Sequence, residues 1–478
     1  MKSDNPKKTF ITPQQKIYFG GIFLFIGFFS MFFLPPDLFI GGGVLVISSL
    51  MLLAFLFNLR WGLYLLFSFS FFANWFIYLG NYQWFKNISY LAAINAPVVD
   101  FIALLLGGGL FLAWFLLIYP LRIERLKHIV PLVVLYGIFI LVAAFSALHA
   151  YDRNVAASFK YLARPMIFAF LFFIMLPHLL IDTKETLIKL LKIWFWVGVG
   201  IAVFGLSSLL VVPQTGWWRV TPYTVDDIAP LGYNHNLIAE ALVALIPIGI
   251  YFTFKAKEYK EKNSLLVYAG GTALMILAEL LTLSRAGWIT LTVQAIVFLS
   301  VFGYSFKTFF QKYKVNIMPV LILAGIILSY MVYFLTSSIV KDATVSRLTA
   351  TEIVVFYVER SPWIGYGPGM FIPIFENTKD FIQEYGVALD GHGFIQKVVL
   401  EEGIVGLILF ISVLIYILVY LWSAQRKKNT DPELSRLLFV MVVGAIIFQL
   451  FNTSYFISVM WLPLGVGLVA VKILEKKD

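Results

Sequence analysis

Runs of roughly 20 mostly apolar residues, enough to carry a helix across a hydrocarbon core about 30 Å thick, recur along the whole chain. Lipid offers the backbone no hydrogen-bond partners, so such segments must close their bonds internally, which a helix does. The apolar runs fall at 17–34, 38–57, 61–79, 98–119, 129–148, 160–180, 190–212, 234–254, 265–283, 287–305, 316–336, 393–422, 436–451 and 454–471. The first run is followed at once by a second, so it reads as a membrane span and not as a cleaved signal. Composition agrees: 60% of the 478 residues are hydrophobic and 13% are charged, where soluble domains carry about 25% charged. The expected fold is all-α, a single polytopic membrane domain over 1–478 with about 12–14 transmembrane helices.

The loops orient that fold, because Lys and Arg near helix ends gather on the cytoplasmic side. With both termini in the cytoplasm, "PLRIERLKH", "KETLIKLLK", "KAKEYKEKN", "FKTFFQKYK" and "SAQRKKNTDPELSR" all fall inside. That side then holds roughly two-thirds of the 36 Lys and Arg, and the outside is net acidic. The basic excess is thus a topology signal, and no nucleic-acid partner is expected. The chain has no cysteine, which excludes disulfides and thiolate chemistry, and its five histidines are scattered singly, which argues against a zinc site.

Three loops exceed the usual length and all face outside: 80–97, the tryptophan-rich 213–233, and 337–391. In the last, Val345, Leu348, Ile353 and Phe356 stand close to helical spacing and Pro362 ends the run, so a surface helix is expected. "GYGPGMF" follows no strand and reads as a tight turn, not a nucleotide loop. The outer helix ends collect the unusual charged and polar residues: Arg164, Arg219, Asn236 beside His235, Glu240, Glu279, Arg285, Arg347, His392, Glu401 and Glu402. A charge at membrane depth costs about 2.5–3.5 kcal/mol on insertion scales, so these residues pair or serve function. Several arginines without a metal-ligand cluster suit a phosphorylated anion. His392, between Gly391 and Gly393, is placed to take a proton from a hydroxyl. On a continuous helix Glu401, nine residues on, lies about 14 Å deeper and about 180° around, which favours a packing or network role.

The order "GYNHNLIAEAL", "SRAGW", "SRLTATEIVVFYVERSPWIGYGPGMF" and "HGFIQKVVLEEGIVG" resembles the O-antigen ligase and polymerase superfamily of bacterial membrane proteins over roughly 230–410. The family's histidine is commonly followed by asparagine, and here Gly393 follows. The resemblance implies an integral-membrane glycosyltransferase fold with a large extracytoplasmic loop, working at the outer face of the bacterial inner membrane without cofactor or metal. The implied donor is an undecaprenyl-diphosphate-linked glycan, and the acceptor hydroxyl belongs to a lipid core or a growing glycan. By the same resemblance His392, Arg285 and Arg347 are the expected catalytic positions. Arg219, Arg164, Asn236 and Glu401 are added as candidate substrate-binding residues. A protein O-oligosaccharyltransferase shares these motifs. The reading from a different class is a lipid or solute transporter, which calls for broken helices and charges near the midplane. Reporter enzymes fused after Lys262 and within 365–390 should report cytoplasm and exterior respectively; the same compartment for both would overturn this topology.

Overall fold

The computed structural model describes residues 36–78, 95–212, 218–225, 228–303, 325, 329–330, 332–386, 388, 390–425, 429–452 and 455–475. The expected spans 17–34 and most of 316–336, and most of the 80–97 loop, lie outside these residues. Helix dominates what is described. Paired strands among these residues are limited to β1 (Phe76–Tyr78) and β2 (Asn95–Pro97), antiparallel with Ile77 opposite Ala96. Nine of the described helices are long and apolar enough to cross a membrane, and the chain is an all-α, multi-pass membrane protein.

The chain divides into two compact units, Met1–Ile123 and Glu124–Asp478. In the first, α1 (Pro36–Phe57), α2 (Leu59–Phe69) and α3 (Val98–Phe115) pack on one another. Here the expected span over 61–79 is corrected, because α2 stops after 11 residues. The hydroxyls of Ser68 and Ser70 donate back to the carbonyls of Tyr64 and Phe67, and the chain turns through Phe72 and Trp75 into β1. Hydroxyl back-bonding of this kind competes with helix continuation.

The second unit comprises α4 (Val130–Leu148), α5 (Val155–Leu180), α6 (Lys184–Val211), α7 (His235–Glu258), α8 (Lys262–Leu281) and α9 (Arg285–Phe302). It continues with α10 (Ser338–Val358), α11 (Phe371–Glu376), α12 (Lys379–Tyr385), α13 (Phe394–Ala424), α14 (Pro432–Gln449) and α15 (Ser458–Leu474). The apolar windows of α7 and α14 are 78% and 72% buried, against 22% for α8 and α9, so α7 and α14 form the centre. Gln294 of α9 donates from Nε2 to the carbonyls of Val243 (2.9 Å) and Val440 (3.2 Å), tying α9 to both central helices. Such amide bonds hold helices together in lipid, where apolar burial gives little preference for protein over tails. At the far end of α7, Asp431 caps α14, pairs with Lys184 at 2.9 Å and accepts from the Tyr251 hydroxyl at 2.9 Å.

α13 is interrupted at Gly403, whose φ of 71° and ψ of −173° leave the helical region. The break frees the carbonyls of Leu400 and Glu401, and the long loop takes them: Tyr366 N–H donates to Leu400 (3.0 Å) and Gly367 N–H to Glu401 (2.8 Å). Beyond the break, Ile404 N–H donates to the Pro362 carbonyl at 2.8 Å. The expectation of a continuous helix at Glu401 is thereby corrected. The tight turn expected at "GYGPGMF" is present, with positive φ at Gly365, Gly367 and Gly369. A Cβ on Gly403 would collide with the Trp363 carbonyl. Gly403→Ala should therefore lower stability by about 2–3 kcal/mol, read as a depressed thermal unfolding midpoint in detergent; an unchanged midpoint would show that the break tolerates a side chain.

Candidate functional site

Two helix starts build the floor of the site. Asn234 caps α7 by accepting the Asn236 N–H at 2.9 Å, and Ser284 caps α9 by accepting the Gly287 N–H at 3.2 Å. Ser284 Oγ also donates to Asn236 Oδ1 at 2.7 Å, which locks the two starts together. Between α8 and α9 the chain reverses through Leu283, a residue with φ of 54°. Left-handed backbone at a branched, non-glycine residue is costly and collects at functional sites.

Above this floor is a cavity of about 450 Å³. Arg219, Arg285 and Arg347 line it with His235 and Asn236, and Leu283, Ala286, Ile289, Phe334, Val340 and Phe451 form its apolar part. No carboxylate is among these lining residues. Arg219 Nε donates to the Thr282 carbonyl at 3.0 Å, its Nη2 donates to His235 Nε2, and its guanidinium lies 5.7 Å from the Phe334 ring centre. Arg285 donates to Thr344 Oγ1 at 3.3 Å. Arg347 Nε is buried and makes no hydrogen bond among the described residues. Burial pulls the Arg219 guanidinium down to about 10, and burial together with the positive charge of Arg285 lowers that of Arg347. The cavity is thus a concentrated positive site with an apolar wall, suited to an anion that carries a hydrophobic part.

His392 lies at the start of α13, beside the cavity and not among its lining residues. Its N–H donates to Gln396 Oε1 (3.1 Å), Gln396 Nε2 donates to Thr351 Oγ1 (2.8 Å), and that hydroxyl donates to the Arg347 carbonyl (2.7 Å). This chain of bonds fixes His392 relative to Arg347. The next residue, Gly393, has φ of 146° and packs on the Leu450 carbonyl, where a Cβ would collide. The backbone there leaves no room for a side chain. His392 Nε2 is buried without a hydrogen bond among the described residues. Burial, and then the charges of Arg347 and Arg285, lower its pKa to about 4 against the opposing pull of Asp390, leaving a neutral imidazole.

The structure therefore brings together Arg219, Asn236, Arg285 and Arg347, with His392 adjacent, and leaves two candidates elsewhere. Arg164 is exposed in the π-helical turn Leu162–Ile167 of α5. Glu401 is fully buried at the break in α13, where its Oε1 accepts the Phe371 N–H at 3.0 Å and fixes the start of α11. Lys397, one turn before it, pairs with Asp390 at 3.0 Å between the rings of Tyr161 and Tyr455. His235 lies in the cavity although sequence reasoning noted it only as a helix-opening residue; its neighbour Asn236 was the available signal. Below the cavity, Glu240 accepts from Gln449 Nε2 (2.5 Å) and Asn452 Nδ2 (2.8 Å), joining α7 to the end of α14.

Neither a family model nor a curated protein matches this chain.

The depressed pKa of His392 makes an acid-side prediction. An unfolded histidine titrates near 6.5, so between pH 6.5 and about 4 the unfolded chain binds a proton that the native one does not. Stability should fall as pH drops through that window. His392→Gln should lose less of its thermal midpoint between pH 6.5 and 4 than the native protein; equal losses would show that His392 is not held neutral.

Proposed function

We propose that this protein transfers a glycan from an undecaprenyl-diphosphate carrier to an acceptor hydroxyl at the outer face of the bacterial inner membrane, as an O-antigen ligase or surface-polysaccharide polymerase does. The observation that carries the reading is the convergence of Arg219, Arg285 and Arg347 on one part-apolar cavity with no carboxylate among its lining residues. The order of motifs over roughly 230–410, and the resemblance it carries, add the substrate class.

In this reading Arg285 and Arg347 grip the diphosphate, and the unpartnered Arg347 Nε gains an acceptor. Arg219 and Asn236 complete the anion contacts, and the apolar wall meets the first isoprene units of the carrier. The acceptor oxygen attacks the anomeric carbon, the bond from that carbon to the phosphate oxygen breaks, and undecaprenyl diphosphate leaves. The arginines stabilise the charge that develops on the leaving group. The acceptor proton passes to His392 Nε2. Burial, and then the arginine charges, hold the imidazole near 4 and make it a weak base; the dianionic donor offsets the arginine part of that shift and so raises its basicity.

The transporter reading draws on one specific observation, the broken helix α13 with Glu401 and Glu402 buried beside it. Against it, the freed backbone groups are taken by the chain's own loop and not left to coordinate a solute.

Transfer assays on detergent-solubilised protein separate the readings, since a micelle has no second compartment. Arg285→Ala and Arg347→Ala should each lower transfer by about 10²–10³-fold and weaken donor binding. Lysine should rescue them poorly, because a point charge cannot make bidentate contacts. His392→Ala should lower transfer by about 10²–10⁴-fold while still binding donor. No transfer by the native protein, with transport of the same carrier lipid in vesicles, would overturn the proposal. Native-rate transfer by His392→Ala would remove its role as base.

A further inference from the structure

At the end of the bundle away from the arginine cavity is a second cavity of about 410 Å³, formed where α4 and α6 begin and α5 and α15 end. Those are the ends of membrane-length helices, the level at which lipid headgroups lie. Its volume is within the range of about 300–1,000 Å³ typical of small-molecule sites. Arg125, Lys184 and Lys472 line it with two carboxylates, Asp182 and Glu475. Arg125 and Lys472 are held by backbone carbonyls, Arg125 by Leu179 at 3.2 Å and Lys472 by Glu124 at 3.4 Å.

His178 supplies the second, independent observation. It lines the cavity, is 3% exposed, and its Nε2 is buried with no hydrogen bond among the described residues. Its Nδ1 lies 2.6 Å from the Ile174 carbonyl and donates to it, so a neutral ring presents Nε2 as an acceptor. The ring of His128 lies 5.1 Å away, centre to centre. Arg125 and Lys472 make one part of the lining cationic, with Lys184 paired to Asp431 nearby, while the acceptor nitrogen and two carboxylates make another part suited to a donor. A simple anion satisfies only half of that lining.

We propose that this cavity binds the headgroup of a phosphate–amine phospholipid. The phosphate meets Arg125 and Lys472, with Lys184 and the positive end of α6 adding to the field. The ammonium donates to His178 Nε2 and faces Asp182 and Glu475. The headgroup then staples the starts of α4 and α6 to the ends of α5 and α15.

Thermal unfolding of the full-length protein in detergent tests this with three probes at matched concentration: dihexanoyl phosphatidylethanolamine, dihexanoyl phosphatidylglycerol and inorganic phosphate. Phosphatidylethanolamine should raise the midpoint at the lowest concentration. Arg125→Gln and Lys472→Gln should each weaken that response about tenfold, the size of one charge-assisted hydrogen bond. Lys472→Arg should respond as the native protein does, which separates lost binding from misfolding. Asp182→Asn should remove the preference for phosphatidylethanolamine over phosphatidylglycerol, and Lys127→Gln, outside the lining, should change nothing. An undiminished response in both glutamine variants would overturn the site. Phosphatidylglycerol binding as well as phosphatidylethanolamine in the native protein would overturn the amine contact, and inorganic phosphate reproducing the whole effect would overturn the lipid as its source.

Discussion

The interruption of α13 at Gly403 is the constraint on which the rest of this architecture depends. Inside a membrane protein a released carbonyl has no water to turn to, and leaving it unpaired costs several kcal/mol. Here Leu400 and Glu401 give theirs to Tyr366 and Gly367, and Glu401 spends its side chain on Phe371 N–H. Ser146 of α4 closes the same knot, donating to the Glu401 carbonyl at 2.6 Å and accepting the Gly367 N–H at 3.0 Å. The long loop is thus pinned into the membrane domain at its centre, with α10 on one side of the knot and the start of α13 on the other. Because both are fixed, Arg347 and His392 can be held together through Thr351 and Gln396.

Electrostatics gives that arrangement its chemical character. Like charges repel more strongly where water is excluded, and among the lining residues of the cavity no carboxylate offsets the three arginines. Burial first, and then this same field, lowers the pKa values of Arg347 and His392. At the other end of α7 the opposite design appears: Asp431 sits among Lys184, Lys255 and Tyr251, and burial of its carboxyl is outweighed so that its pKa falls. The Asp431 cluster is internally neutralised, whereas no carboxylate is among the residues that line the arginine cavity.

Much of this was legible in the amino-acid order. The apolar runs at 234–254 and 287–305 foretell α7 and α9, whose starts Asn234 and Ser284 cap in the structure. Val345, Leu348, Ile353 and Phe356 foretell α10, and the three glycines of "GYGPG" foretell a turn with positive φ. What was not legible depended on distant partners. Nothing in "LEEGIVG" distinguishes a glycine that breaks a helix from one that helices tolerate, and "FSFSFFANWF" contains no proline or glycine to announce that α2 ends at Phe69.

The sequence by itself determined the solvent, the helices and the stock of charges, because those follow from local apolarity and from the cost of exposing a backbone to lipid. The tertiary structure alone decided which charges meet. Arg164 and Arg219 look alike in sequence, each a lone arginine near a helix end, yet only Arg219 reaches the cavity, drawn there by the Thr282 carbonyl and by His235. Glu401, expected from sequence in a packing or network role, is the clasp of the loop, because a break nine residues beyond Phe394 redirects the backbone around it. Periodicity fixes the face of a helix, but the pairing of faces is a long-range choice made by hydrogen bonds such as those of Gln294, Ser146 and Gln396, and no local pattern encodes it.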